Sequence, residues 1–275
     1  MFSTLVARGL FRSGEPMRIV PARNGWLWLL KGFALFRNNP AMWLFLVFTY
    51  WLAMALLGQV RYLGLALSTL LLPALSVSFM NMCATLDRGG ALRPALLASG
   101  FRQCLATLIL LGALYLLSIG VALLLASLAD AGVLLQWVIL GREPPIEAIR
   151  DGSVSRALIL TAAAGAPVLM AFWFAPVLAA WERMGAVKSL FYSFFAVLRN
   201  WRAFLAYAGA FVLAGAAFLL LAGTATVLAG GNVDTMRLLG LTFTLLTLPT
   251  VFGSFYASYR DIFSAGANPA QAPPV

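Results

Sequence analysis

The chain has no histidine, only two cysteines and very little charge. Without imidazole there is no Ser-His-Asp triad, no His-ligated zinc or haem and no imidazole proton relay. Cys83 and Cys104 are too few for a thiolate zinc site or an iron–sulfur cluster. Glycine-rich phosphate loops are missing too, since the Gly-Gly pairs at 89–90 and 230–231 lack the required lysine and flanking pattern. No catalytic residue, cofactor or metal site is therefore expected, and an intramembrane enzyme is the weakest functional reading. Charged residues make up 10% of the chain and apolar residues 62%, with a mean hydropathy of +0.92. A soluble domain runs at about 25% charged and about 45–50% apolar. So little charge does not cover a water-facing surface.

What the sequence has instead is apolar length. Runs free of any charge cover 38–60, 62–86, 103–129, 157–181, 203–233 and 238–259. Each is long enough to cross a hydrocarbon layer about 30 Å thick, which takes about 20 helical residues. The fold class that follows is all-α: an integral membrane helical bundle of six transmembrane helices. The spans fall at about 41–59, 63–84, 104–128, 157–180, 203–229 and 238–259, within a single membrane domain over 17–262. Residues 1–16 show no helical pattern and read as a flexible tail or an over-called start ahead of Met17. Residues 263–275, rich in Pro and Ala, read as a disordered tail.

Loop charge orients the spans. With a cytoplasmic N-terminus, 14 of the 19 Lys and Arg residues fall on the cytoplasmic side, against only Glu15, Asp87, Glu182 and Asp261. The far side holds Arg61, Arg142, Arg150, Arg156 and Arg237, balanced by five acids. Basic residues are retained in the cytoplasm, so both termini are expected there. The same asymmetry accounts for the net charge of +10, and no nucleic-acid partner is expected.

An internal repeat is visible. Asp87-Arg88-Gly89-Gly90-Ala91-Leu92-Arg93 aligns without gaps with Glu182-Arg183-Met184-Gly185-Ala186-Val187-Lys188. Each segment leaves an even-numbered span and leads to an Arg just before the next span, Arg102 and Arg199, as Arg37 stands before span 1. Arg260-Asp261 after span 6 is a third acid–base pair. The expected architecture is thus three two-helix repeats with cytoplasmic interfacial pre-helices. In the third, over 186–199, Lys188, Ser189, Tyr192, Ser193, Ala196 and Arg199 share one side, with Leu190, Phe191, Phe194, Phe195 and Leu198 opposite. The first, over 26–36, sets Trp26, Leu29, Leu30, Phe33 and Phe36 against Trp28, Lys31 and Leu35, and is expected between lipid and protein. The second, over 93–103, is weak because Pro94 and Gly100 bracket it. Between spans 3 and 4, a short apolar helix over 133–140 and a polar turn are expected.

Two groups of candidate residues emerge. Lys31, Arg37, Arg102, Lys188, Arg199 and Arg202 are placed to meet lipid head groups. Pro73, Asn81, Pro176 and Pro249 lie in even-numbered spans and are candidates for hinges or a cavity lining. The three acid–base pairs either form a ring or simply fix the depth of the helix ends. No ionisable residue sits in the middle of a span, and intramembrane Ser and Thr ordinarily bond to their own or a neighbouring helix.

Pro21-Ala22-Arg23-Asn24-Gly25-Trp26 followed by Gly32-Phe33-Ala34-Leu35-Phe36-Arg37-Asn38-Asn39-Pro40 resembles the opening of a family of uncharacterised bacterial inner-membrane proteins. Phe172-Trp173-Phe174-Ala175-Pro176 and Asn200-Trp201-Arg202-Ala203-Phe204 are similar to that family's second half. The resemblance covers about 17–262 and implies six-span topology and a start at Met17, with no activity or site. Two functional readings remain: a non-enzymatic inner-membrane protein acting through helix packing and association with membrane lipids or other membrane proteins, or a carrier or channel for a neutral or apolar solute. The orientation is testable. A reporter active only in the periplasm is expected to be active when fused after Arg142 and silent after Arg93 or Lys188; the reverse pattern would overturn the charge argument.

Overall fold

The structure, a computed structural model, describes residues 17–60 and 63–263. The expectations for 1–16, for Arg61 and for the tail beyond 263 lie outside the described residues. Every regular element described is helical. In chain order these are α1 (Asn24–Asn38), α2 (Pro40–Gly58), α3 (Leu63–Asp87), a 3₁₀ helix (Pro94–Arg102), α4 (Leu105–Asp130), α5 (Val133–Leu140), α6 (Ile146–Arg150), α7 (Ser153–Trp173), α8 (Ala175–Trp181), α9 (Ala186–Arg199), α10 (Trp201–Leu228) and α11 (Val233–Phe263).

Six stretches are long and apolar enough to span a membrane: Pro40–Gly58, Leu63–Asp87, Leu105–Asp130, Ser153–Trp181, Trp201–Leu228 and Asp234–Phe263. Several polar side chains in these spans meet the demand of a solvent without hydrogen-bond partners by bonding inside the protein. Thr161, Thr224, Thr226, Thr242 and Thr244 each donate to the carbonyl four residues earlier. Asn81, buried in α3, donates its amide to Ser99 Oγ at 2.9 Å.

The chain forms two compact units. Of the described residues, the first comprises those up to Leu52, Ser78–Ser99 and those from Leu198 to Phe263; the second comprises those within Ala53–Val77 and Gly100–Val197. In the first, α1 lies against α10 and α11. Its aromatic centre is Phe79, stacked on Phe252 at 3.8 Å and on Trp43 at 6.3 Å between ring centroids.

The second unit is built on α4 packed against α7. Leu108 and Leu111 of α4 are buried with Ala74, Val77, Ala175, Ala179 and Ala186, while Leu123 and Ala126 meet Leu134 and Ala157. Gly112 makes the approach to α3 possible, since a Cβ there would stand 2.7 Å from Leu70 Cα. The 130–156 connection contains α5 and α6. Asp130, 4% exposed, closes the turn into α5 by accepting the N–H groups of Gly132 at 2.9 Å and Leu134 at 2.7 Å. Asp151 likewise accepts Ser153 N–H at 2.8 Å ahead of α7. That N–H, and then the Ser153 hydroxyl, hold its carboxyl below the ordinary range.

The fourth span is interrupted between Trp173 and Ala175, just ahead of Pro176. Pro176 stands in the first turn of α8, a position where the missing N–H is one the helix does not need. The break is filled by Ser193. Its hydroxyl is inserted into the helix ladder, accepting Phe174 N–H at 2.8 Å and donating to Met170 O at 2.8 Å. Pro73, Pro167 and Pro249 instead lie inside continuous helices.

Ser193→Ala should remove the hydroxyl that joins the buried Phe174 N–H to the half-buried Met170 carbonyl, at a cost of about 1–3 kcal/mol. The expected result is a lower melting temperature of the purified protein in detergent. Ser118→Ala, which removes only a hydroxyl bonded back to Leu114 O at 2.8 Å, should change stability by less than about 0.5 kcal/mol. Equal melting of the two variants would show the inserted hydroxyl to be dispensable.

Candidate functional site

The polar residues of the first unit converge on one cavity, and α1 is the element that creates it. α1 buries Gly25, Trp28, Gly32, Leu35 and Phe36 and leaves Trp26, Leu30 and Phe33 exposed. Both glycines are required by the packing. Gly25 rests on the backbone of Ala203 and Tyr207 in α10, and Gly32 on the backbone of Thr250 and Ser254 in α11. From the other side, a Cβ on Gly253 would come 2.8 Å from Gly32 Cα. Between the two contacts Trp28 is fully buried, its ring against Phe204 and Tyr207 at centroid distances of 5.2 and 6.0 Å.

Asp261 ties the polar edge of α1 to the end of α11. It accepts Asn24 Nδ2 at 2.9 Å, Trp28 Nε1 at 2.8 Å and Lys31 Nζ at 3.0 Å. Those three donors occur at i, i+4 and i+7 and therefore project from one face of the helix. One residue earlier, Arg260 pairs with Asp87 at the end of α3, and the Tyr256 hydroxyl donates to the same carboxylate at 2.9 Å. Tyr256 and Arg260 are again one helical turn apart.

The segment before α1 completes the cavity. Arg18 N–H donates to Ile262 O at 3.1 Å. Asn200, 2% exposed, grips the same segment twice: its Oδ1 accepts Val20 N–H at 2.8 Å and its Nδ2 donates to Arg18 O at 3.1 Å. The result is a half-open cavity of about 530 Å³ walled by Arg18, Lys31, Asn38, Asp87, Tyr256, Arg260 and Asp261, with Ala34, Leu35 and Ala257 between them. Three cations face two carboxylates.

Of the sequence candidates, Lys31 lies in this wall. Arg37, Arg102, Lys188 and Arg199 are exposed at helix ends. Arg202 is exposed with its guanidinium 5.4 Å from the Trp201 ring centre. Pro73, Pro176 and Pro249 are buried, and neither they nor Asn81 lines the cavity. Asp87 takes its partner from another helix, Arg260, and not from its sequence neighbour Arg88. Glu182 and Arg183 belong to the second unit. Sequence reasoning missed Arg18, Asn38, Tyr256 and Asn200 as site residues. The Asn24–Trp28–Lys31 spacing was a legible sign that an acceptor had to lie opposite α1.

These helices, their lipid-length apolar faces and a charged cavity at the helix ends define a polytopic all-α inner-membrane protein. Comparison with known proteins makes the class particular. The chain is 36% identical over 250 residues to a protein of Burkholderia thailandensis named a probable inner membrane protein, covering 89% of this chain and 92% of that one. It belongs to that family of bacterial polytopic inner-membrane proteins. No family model matches the chain, and no solved structure matches it.

The cluster around Asp261 yields a prediction in which burial decides the order of effects. Lys31 is 52% exposed, so its ion pair is worth at most about 1 kcal/mol. Trp28 is fully buried and bonds to a charged acceptor, a contact worth about 1.5–3 kcal/mol. Trp28→Phe should therefore lower the melting temperature more than Lys31→Gln, and Asp261→Ala more than either. A Lys31 effect exceeding that of Trp28 would contradict this ranking.

Proposed function

We propose that this inner-membrane protein is non-enzymatic and works by association with lipid, and through it with other envelope proteins, at the cytoplasmic face, where both termini lie. The observation that carries the reading is α9. Its Phe191, Phe195 and Leu198 are exposed and apolar, while Lys188 and Arg199 stand exposed at its two ends. The opposite face, with Ser189, Tyr192, Ser193 and Ala196, is buried in protein. The serines that helical spacing groups with the cations thus face protein. α9 is thus pinned on one side by Ser193 and offers lipid an apolar strip flanked by positive charge, the pattern of a helix lying in the membrane interface. α1 repeats the pattern, with Trp26, Leu30 and Phe33 outward and Lys31 and Arg37 beside them. The orientation is supported by the excess of basic residues on that side. Against a carrier stand the span threonines, whose hydroxyls are engaged by their own helices.

Each cation near an anionic leaflet contributes about 1 kcal/mol. Reversing both, in Lys188→Glu with Arg199→Glu, should forfeit about 2 kcal/mol and add repulsion. The expected outcome is less membrane-integrated protein in cells than for the parent, measured by immunoblot of the membrane fraction. Equal amounts would mean that protein contacts alone hold α9 and that the lipid reading must be dropped.

A further inference from the structure

We infer that the cavity between α1, α3 and α11 is a binding site for a phosphate-ester anion, supplied as a phospholipid head group or as free phosphate. It rests on the lipid reading above only for the source of the anion. The wall carries a surplus of donors. Asp261 is engaged on both oxygens, with Oδ1 taking Lys31 and Oδ2 taking Asn24 and Trp28. Asp87 is engaged by Tyr256 and Arg260. These carboxylates therefore act as positioning residues: each holds a cation, Lys31 or Arg260, at the cavity wall, where three cations outnumber two carboxylates. Lys31 has three N–H donors and Arg260 has five, and the carboxylates occupy only part of them. Arg18 lines the same space, held there through its backbone, and its guanidinium makes no ion pair among the described residues. Asn38 adds a side-chain amide.

Three cations and an amide around about 530 Å³ suit a tetrahedral dianion or a phosphodiester, which accept several charge-assisted bonds at once. A phospholipid is the source that the surroundings favour. Ala34 forms part of the wall, and the adjoining surface of α1 presents Leu30 and Phe33, 49% and 47% exposed, where acyl chains would lie.

The test titrates purified full-length protein in detergent with phosphatidylglycerol, with diacylglycerol of the same chains, and with inorganic phosphate, reading bound lipid by native mass spectrometry and phosphate by calorimetry. Phosphatidylglycerol should bind and diacylglycerol should not. Arg18→Gln should weaken binding about ten-fold, the loss of one charge-assisted contact, with an unchanged melting temperature. Asn38→Leu, exposed at the end of α1, provides a second variant with the same expected direction. Arg202→Gln, a surface cation outside the cavity, should leave binding as it is. Inorganic phosphate binding as tightly as the lipid would uphold the anion site and assign it to free phosphate. Equal binding of diacylglycerol, or unchanged phosphatidylglycerol and phosphate affinity in both Arg18→Gln and Asn38→Leu, would overturn the proposal. Abundance of the α9 charge-reversal variant reports on a helix none of whose residues lines the cavity, so the two readings fail independently.

Discussion

A single carboxylate fixes where α1 lies. Asp261 must be reached by three donors from one face of one helix, and only a narrow range of positions along α11 satisfies all of them. The glycine contact between Gly32 and Gly253 sets the distance at which this happens, because any side chain there would push the helices apart. Backbone approach and polar attachment cooperate: the first brings Trp28 Nε1 within reach of Asp261, and the second prevents α1 from sliding. Everything on the wall of the cavity follows from that seating. Lys31, Ala34, Leu35 and Asn38 face it because Trp28 faces α10.

The second unit meets the same constraint, polar groups in a medium that offers no partners, with a different device. A helix that must break in the hydrocarbon cannot leave its N–H and C=O groups exposed. Here a hydroxyl from α9 fills the gap between Phe174 and Met170. This makes the serine face of α9 the tightly held one and turns its phenylalanines outward. The amphipathic pattern is therefore inverted relative to a helix on a soluble protein, with apolar groups outside and small polar groups inside.

Much of the fold was legible in the sequence because the bilayer imposes one length on every span, and charge-free runs of that length are hard to mistake. The two sides of α1 were legible as well, since its tryptophans and leucines separate cleanly at helical spacing, although Phe36 joins the buried side rather than the exposed one. The site was not. Its residues come from positions near 18, 31, 87 and 260, and nothing in a single chain announces which of many basic and acidic residues near helix ends will meet. Asp87 stands beside Arg88 in the sequence, yet a helix end places consecutive side chains about 100° apart and favours partners on other helices, here Arg260. Pro176 stands in the first turn of α8, and the hydroxyl that meets the freed backbone groups lies 17 positions further on, at Ser193.

The separation between Trp28 and Asp261, 233 residues, has a consequence in time. A ribosome releases α1 long before α11, and sequence-distant contacts form only when the later partner has been made. Until the last turn of the final helix emerges, Trp28, Asn24 and Lys31 have no common acceptor, and the segment holding Arg18 has no Ile262 carbonyl to bind. The same atoms that build the cavity thus record that the end of α11 has been made. A chain truncated before residue 261 would keep the contacts of α1 with α10 and lose the acceptor shared by Asn24, Trp28 and Lys31, leaving a buried indole N–H without its carboxylate.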